Sequence, residues 1–280
     1  MVRPRYSFSA RHTGKIQNIR KQRKKYPSIA QSIIENSDIV LEVLDARFPT
    51  ETRNEEFEEV VFGKGKKIIY VLNKSDLVRK DKLDKIKLFP RVFVSCSERK
   101  GIRELRALIK KSAREIKIPV DKDKSGKVTV GVIGYPNTGK SSLINILIGK
   151  SSAGVSSQSG FTRALQKLKL AEDIQLLDSP GVIPEREYSS ADREKIARHA
   201  KLGARDYSKV KDPDMVVFEL IKEFPDILEG HYNLNTCGDV ELFLEELGKK
   251  KGFMKSGGIV DEDKTARFVL KEWQVGKIKI

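Results

Sequence analysis

Cysteine is scarce in this chain of 280 residues, which holds only Cys96 and Cys237, far apart. Two distant cysteines fit neither a disulfide framework nor a metal site built from closely spaced thiolates. We therefore expect a protein without disulfides, in a reducing compartment such as the cytoplasm.

Long apolar runs are also missing. None approaches the roughly 18 residues that a membrane-spanning helix needs, and the basic N-terminus lacks the apolar segment of a secretory signal. With 39% hydrophobic residues, the chain can still form one α/β domain of usual size and a smaller domain. We expect a soluble protein, monomeric and without a membrane partner.

Acidic residues are absent from residues 1–30, which hold nine Lys or Arg, and the net charge of the chain is +16. Tyr6, Phe8 and Tyr26 lie within this arm. An uncompensated basic arm with aromatic residues favours a polyphosphate partner such as RNA. A tail that only increases solubility is the alternative interpretation.

Six short segments have the pattern of β-strands, and helical patterns lie between several of them. The predicted strands are 38–45, 67–72, 91–95, 127–133, 166–171 and 173–178; the predicted helices are 26–36, 51–61, 79–87, 101–115 and 140–149. Such alternation predicts βαβ units and a mostly parallel, doubly wound sheet. The last two strands should form an antiparallel hairpin, because Glu172 and Asp173 are too short a connection for a crossover.

The chain changes character near residue 190, after which helical spacing dominates and strand patterns are scarce. We therefore predict three parts: a basic arm at 1–30, an α/β domain at 31–189 and a mainly helical, RNA-binding domain at 190–280.

A phosphate-binding loop is predicted at residues 134–141, GYPNTGKS, which satisfy GxxxxGK[ST] between a strand and a helix. Backbone N–H groups in such a loop face the phosphates at a helix N-terminus. Lys140 would reach the β- and γ-phosphates, and the Ser141 hydroxyl would bind Mg²⁺. The residues expected at the phosphates are Pro136, Asn137, Thr138, Gly139, Lys140, Ser141 and Ser142.

The γ-phosphate side of this site is predicted in two later segments. Asp178, in DSPG, would hold Mg²⁺ through water, and the Gly181 N–H would sense the γ-phosphate. Thr162, in the Ser- and Gly-rich segment 151–165, would be the second hydroxyl ligand of Mg²⁺. The alternatives are an ordinary turn and a plain flexible loop.

A guanine-reading signature, NKSD, follows the predicted strand 67–72. Asp76 can accept from the two N–H donors of guanine, which adenine does not offer. Asn73 can reach the base or tie the loop together, and the Lys74 stem can lie over the purine. A helix cap is the alternative. The small residues Ser95, Cys96 and Ser97 follow the next strand and would complete the pocket.

The base-reading signature precedes the phosphate loop, which reverses the usual order. Ligand loops of an open α/β sheet gather at the carboxyl ends of the strands, whatever their order in the chain. Joining the usual termini and cutting the chain elsewhere leaves such a sheet unchanged. We therefore predict a circularly permuted GTPase domain that binds GTP and GDP, with residues 116–126 as the join.

This motif order, with DARFP at 45–49 and KSGG near the C-terminus, resembles the YlqF/YawG family of circularly permuted GTPases. The likeness covers roughly residues 31–280. It implies GTP hydrolysis and a role in maturation of the large ribosomal subunit, through binding of rRNA and precursor particles.

The resemblance also implies three features of catalysis. Asn137 matches the position at which potassium-activated members carry Asn, so K⁺ is expected beside the phosphates; a loop-stabilising side chain is the alternative. Val182 stands where many GTPases have a water-orienting Gln. The family is thought to use an N-terminal His instead, and His12 is the candidate here, although its flanking residues depart from the family pattern.

Two other functions fit parts of the sequence. One is a GTPase of another class, which acts on tRNA modification or at a membrane. The other is an RNA-binding module with a vestigial nucleotide site. Copurified tRNA or lipid would favour the first, and absence of GTP turnover would favour the second.

Overall fold

A computed structural model describes residues 30–116, 126–149, 166–178, 193–203 and 206–280. Its central feature is a six-stranded sheet in the order β3-β2-β1-β4-β6-β5. The strands are β1 (Ile39–Asp45), β2 (Lys67–Asn73), β3 (Arg91–Phe93), β4 (Val128–Gly134), β5 (Gln166–Lys169) and β6 (Ile174–Asp178). All neighbours are parallel except β5 and β6. The predicted mostly parallel sheet and its terminal hairpin are confirmed.

Helices cover both faces of this sheet. They are α1 (Glu55–Gly63), α2 (Lys80–Asp84), α3 (Ile102–Arg114) and α4 (Lys140–Ile148). Ile39, Leu41 and Val43 of β1 point to one face and pack with α3 and α4. Val40 and Leu44 point to the other face, where α1 and a helical segment at 30–35 cover them. This double burial explains why β1 is apolar nearly throughout.

Two predicted helices are shorter than their patterns. The helix predicted at 51–61 begins only at Glu55, because the side chain of Asn54 accepts a hydrogen bond from Phe57 N and caps it. The helix predicted at 79–87 is confined to Lys80–Asp84 and has no buried residue. Leu83 alone of its residues packs against the apolar cluster on the face that α1 covers, and only partly, so this short helix gains little from packing. Most of the predicted join, residues 117–125, lies outside the described residues.

The C-terminal part of the chain is helical, as predicted. Its helices are α5 (Arg193–Lys201), α6 (Pro213–Glu223), α7 (Pro225–Tyr232), α8 (Val240–Lys251) and α9 (Glu262–Gln274). They enclose a third apolar cluster around the buried Trp273 and Phe243. The boundary predicted near 190 falls outside the described residues, so the division into domains stays a prediction.

Candidate functional site

The predicted nucleotide-binding loops lie at one edge of the sheet. The strands β1, β2 and β4 run parallel and in register, with Asp45 beside Asn73 and Val43 beside Gly134. The loops that follow these strands therefore emerge together at their carboxyl ends. NKSD and the phosphate loop, which are about 60 residues apart in the chain, become spatial neighbours.

Asn73 joins these loops directly. Its Nδ2 donates to the carbonyl oxygen of Thr138 at 2.7 Å, and its Oδ1 accepts from the backbone N of Cys96 at 3.2 Å. Asn73 is 2% exposed, so both bonds are shielded from water and costly to lose. One amide thus ties the base-reading loop to the phosphate loop and to the Ser95–Ser97 loop. These bonds correspond to one of its two predicted roles, tying the loops together, and its contact with the base stays a prediction.

Gly139 shows how closely the two loops approach. Its φ is +99°, and a Cβ at this position would lie 2.1 Å from Nδ2 of Asn73. Real Cβ contacts are essentially never that short, so a side chain here would displace the Asn73 amide that joins the two loops. The second glycine of the phosphate-loop motif is therefore required by the neighbouring loop as well as by its own backbone conformation.

The carboxylate that is predicted to read the base, Asp76, has one acceptor without a partner among the described residues. Asp76 lies in a short 3₁₀ helix, Ser75–Leu77, and its Oδ2 accepts from Ser97 Oγ at 3.0 Å. Ser97 Oγ is in turn 2.9 Å from Ser95 Oγ. The other oxygen, Oδ1, is buried and has no hydrogen-bond partner among the described residues. A buried acceptor in this state fits a ligand that offers N–H donors.

Cys96 contributes its backbone rather than its thiol to this pocket. Its N–H holds Asn73, while burial raises the pKa of the thiol to about 11. At neutral pH the side chain is therefore a neutral thiol, suited to a pocket wall and unsuited to nucleophilic chemistry.

The phosphate-loop lysine begins α4. Lys140 is buried, and its Nζ donates to the carbonyl oxygens of Gly134 at 3.0 Å and Tyr135 at 2.7 Å. Thr138 Oγ1 also donates to the Tyr135 carbonyl oxygen, at 3.0 Å. The ammonium group thus spans the loop through hydrogen bonds to carbonyl oxygens. Phosphate oxygens could replace these carbonyl oxygens, and the new hydrogen bonds would be charge-assisted.

The described residues at this edge fit Mg²⁺. Ser141 is the second residue of α4, and Asp178 ends β6, where its backbone pairs with Val132 on the adjacent strand β4. A hydroxyl and a carboxylate are hard oxygen ligands of the kind that Mg²⁺ prefers. Thr162, Gly181, Val182 and His12 lie outside the described residues, so their predicted roles stay predictions.

Asn137 has a left-handed backbone, with φ of +59°, and its Nδ2 donates to the carbonyl oxygen of Gly203, just after α5. The side chain therefore links the phosphate loop to the helical region. This bond fits the alternative of a loop-stabilising side chain, and a role of Asn137 with K⁺ stays a prediction.

Asp45, at the end of β1, is a site residue that the sequence reasoning missed. It is fully buried and accepts from Lys74 Nζ at 2.8 Å and from Arg47 Nη2 at 2.8 Å. Burial alone would raise the pKa of Asp45, but the charges of Lys74 and Arg47 outweigh it and hold that pKa well below its usual range. A carboxylate at the end of an apolar strand, two residues before Arg, was the available signal.

Two side chains from the loops at this edge enter the helical region. Phe48, in DARFP, and Tyr135, in the phosphate loop, are both buried in the cluster around Trp273. Tyr135 meets His199 of α5 at a centroid distance of 6.2 Å, and Arg47 Nη1 donates to the carbonyl oxygen of Trp273 at 3.0 Å. The loops that would hold nucleotide are thus also the docking surface of the helical region.

The segment that follows NKSD is hydrogen-bonded to the last residue of the chain. Ile280 N donates to the carbonyl oxygen of Leu77 at 2.8 Å, and Arg79 N donates to that of Ile280 at 3.1 Å. Leu77 directly follows Asp76.

Among the described residues, no helix is long and apolar enough to cross a membrane.

Comparison with known proteins gives independent evidence on the family of this chain. Residues 129–231 match the family described as 50S ribosome-binding GTPase. The chain is 39% identical to an uncharacterized GTP-binding protein of Methanocaldococcus jannaschii, covering 91% of this chain and 67% of that protein. It is 33% identical to ribosome biogenesis GTPase A of Bacillus cereus, covering 86% of this chain and 84% of that protein.

Solved structures agree in fold. The GNP-bound YlqF of T. maritima superposes with a TM-score of 0.61 at 22% identity, covering 91% of this chain and 94% of that chain. Other curated relatives, from eukaryotes, are longer, and the chain spans only about half to three fifths of the Arabidopsis and fission-yeast proteins.

Proposed function

Because the chain belongs to the YlqF/YawG family of circularly permuted GTPases, we propose that it assists assembly of the large ribosomal subunit. In this proposal it binds rRNA and precursor particles in a manner that depends on the bound nucleotide, and it works as a cytoplasmic monomer. The observation that supports its nucleotide-binding part is the pair of hydrogen bonds at Asn73, which hold the three predicted nucleotide-binding loops together.

Guanine would occupy the space above Asp76. Its N1–H and N2–H groups would bond the carboxylate, whose Oδ1 is buried without a partner while Ser97 holds Oδ2. The Lys74 stem would lie along the purine face while its Nζ remains bonded to Asp45. Adenine would leave the buried acceptor unpaired, and this unmet bond is a strong source of discrimination.

The triphosphate would lie along the loop at 134–142. Lys140 would exchange its two carbonyl partners for phosphate oxygens, and the N–H groups of Asn137, Thr138 and Gly139 would face the phosphates. GTPases of this kind use Mg²⁺, which neutralises charge on the β- and γ-phosphates. Ser141, Thr162 and Asp178 would hold that ion.

Potassium is a second proposed cofactor. The Asn137 side chain is anchored through Nδ2 to Gly203, which would orient its Oδ1. A carbonyl-type oxygen beside the phosphates is suitable for a monovalent cation. The test is GTP turnover in K⁺ compared with Na⁺, in the parent chain and in Asn137→Ala; K⁺ stimulation that survives the substitution would exclude this role.

Hydrolysis is proposed to use groups outside the described residues. Gly181 would sense the γ-phosphate, Thr162 would complete the Mg²⁺ site, and His12 would orient water in place of the Gln that Val182 replaces. Lys140→Ala should abolish turnover, and His12→Ala should lower kcat with little change in KM.

Nucleotide dependence is proposed to arise from the shared loops. Tyr135 and Asn137 lie in the phosphate loop and contact α5 or its C-terminal end, while Arg47 and Phe48 contact Trp273 of α9. A rearrangement of the phosphate loop would therefore change the packing of the helical region. Such coupling requires different contacts in the two nucleotide states.

The deciding experiment is association with large-subunit precursor particles, measured by cosedimentation with a non-hydrolysable GTP analogue and with GDP. The proposal expects at least about tenfold tighter association with the analogue, which corresponds to about 1.4 kcal/mol. Equal association would remove the switch, and no association with either nucleotide would remove the proposed role in assembly.

A further inference from the structure

Helix α3 exposes a row of basic side chains on the α/β domain. Arg103, Lys110 and Arg114 are exposed, and Lys111 lies beside them. Ion pairs involving these four side chains are absent from the described part of the chain. On the opposite side of the helix, Ile102, Leu105 and Ile109 are buried against the sheet.

Acidic residues are kept out of this row. Successive residues of an α-helix are about 100° apart, so positions 103, 110 and 114 lie within about 40° of one another. Glu104 and Glu115 lie about 100–120° from Arg103 by the same rule. Glu115 is engaged elsewhere, because it pairs with Lys67 of β2. The row therefore presents positive charge alone.

The effect of this arrangement on folding is mixed, because Lys111 and Arg114 in the last turn of α3 interact favourably with the helix dipole. Lys110 and Arg114 are like charges at i and i+4, and Arg103 stands in the first turn, near the positive end of the helix dipole. Arg106, by contrast, has a structural contact, since its Nη2 donates to the carbonyl oxygen of Leu147 at 2.6 Å, near the end of α4. Arg103, Lys110 and Arg114 have no such contact among the described residues, whereas the charge of Lys111 acts on Glu115.

The positive charge of the protein is not concentrated in the helical region. Residues 190–280 hold 17 Lys or Arg and 17 Asp or Glu, whereas α3 alone holds five Lys or Arg and one Glu. On the other face of the sheet, α1 carries four Glu and no basic residue. Helices α1 and α3 thus differ sharply in charge, although α2, on the same face as α1, carries Lys80 and Lys82.

We propose that α3 is a docking surface for the phosphate backbone of RNA, an inference that rests on the proposed function and deepens it. The row extends over about 16 Å from Arg103 to Arg114, at 1.5 Å per residue. Ala107, small and exposed, lies between these cations and leaves room for a close backbone approach. A regular series of unpaired cations fits a polyphosphate better than it fits an acidic protein patch.

Helix α3 lies close to the predicted nucleotide site. The helix starts directly after the loop that contains Ser95, Cys96 and Ser97, so the row begins beside the guanine pocket. RNA bound on α3 would therefore lie next to the nucleotide. This surface is separate in the sequence from the basic arm at 1–30.

The test removes three charges of the row. The variant combines Arg103→Gln, Lys110→Gln and Arg114→Gln; its matched control combines Lys82→Gln, Lys85→Gln and Lys87→Gln, which are exposed on or just after α2. Binding is measured by fluorescence anisotropy with fluorescein-labelled oligouridylate of 20 nucleotides and with transcribed large-subunit rRNA. We expect the α3 variant to bind about tenfold more weakly and its salt slope to fall by about 2, with the control near the parent.

A second measurement does not depend on affinity. A photo-crosslinking amino acid at position 107 should give an adduct with rRNA, while the same group at position 59, on α1, should give none. Equal RNA binding and salt slopes for both triple variants, or equal crosslinking at both positions, would overturn the inference. So would unchanged RNA binding accompanied by loss of contact with a protein of the particle. If the parent still requires GTP for particle association, only the inference about α3 fails and the proposed function stands.

Discussion

Hydrogen bonds hold the loops at the carboxyl edge of the sheet to one another. Apolar packing by large buried side chains contributes much of the contact between these loops and the helical region. Asn73 bridges Thr138 and Cys96 in the first set of contacts, and Phe48 and Tyr135 enter the cluster around Trp273 in the second. Polar bonds fix the position of a ligand, while apolar burial supplies stability. Substitutions in the two sets should therefore affect different properties.

The largest expected effect is on stability. Phe48→Ala would leave a cavity beside Trp273, whose ring centroid lies 5.9 Å from that of Phe48. We expect a loss of about 3–5 kcal/mol in the free energy of unfolding, measured by urea denaturation. Trp273 is the only tryptophan, so its fluorescence reports the region directly. Phe62→Ala is the control, because Phe62 is 56% exposed; equal losses in both variants would mean that the DARFP loop is not anchored there.

The next effect is on nucleotide affinity. Gly139→Ala should weaken GTP and GDP binding about 100-fold, or about 2.7 kcal/mol, because its Cβ would displace Asn73 from Thr138. Gly149→Ala is a close control: Gly149 also has a positive φ and ends the same helix, but nothing lies within 4 Å of its Cβ position. Isothermal titration should show the difference. Similar affinities for the two variants would contradict the close approach of the loops.

A smaller effect concerns pH. Since the pKa of Asp45 is lowered in the folded protein, its ion pairs stabilise the fold above the unfolded pKa near 3.9 and lose that contribution as pH falls below it. Asp45→Asn cannot titrate, so its deficit in unfolding free energy, on the order of 2 kcal/mol at pH 7, should shrink as pH falls below about 4. Urea denaturation at several pH values would measure it; a deficit that stays constant would exclude charge pairing as the cause.

The sheet and its motif order could be predicted because strand periodicity and loop motifs are local signals. The hairpin at Glu172 and Asp173 followed from connection length alone, and the meeting of NKSD with the phosphate loop followed from parallel strand geometry. The entry of Phe48 and Tyr135 into the helical region could not be predicted. Periodicity reveals that a residue is buried but not which distant residue covers it, and both lie in loops without periodicity.

The role of Asp45 was hidden for a related reason. Its partners Lys74 and Arg47 lie on two different loops, and Trp273 is 226 residues beyond Arg47. DARFP was noticed only as part of a family likeness. In the structure, Asp45 forms an ion pair with Lys74 of the NKSD loop, and Arg47 and Phe48 contact Trp273 of α9.

The most direct measurement of the central claim is the nucleotide preference of Asp76→Asn. If Asp76 reads the base of the triphosphate that Lys140 holds, the variant should bind GTP at least about 100-fold more weakly than the parent. It should also gain affinity for xanthosine triphosphate, which offers an acceptor where guanine has a donor. Unchanged GTP affinity, with no gain for xanthosine triphosphate, would show that the two loops do not serve one nucleotide.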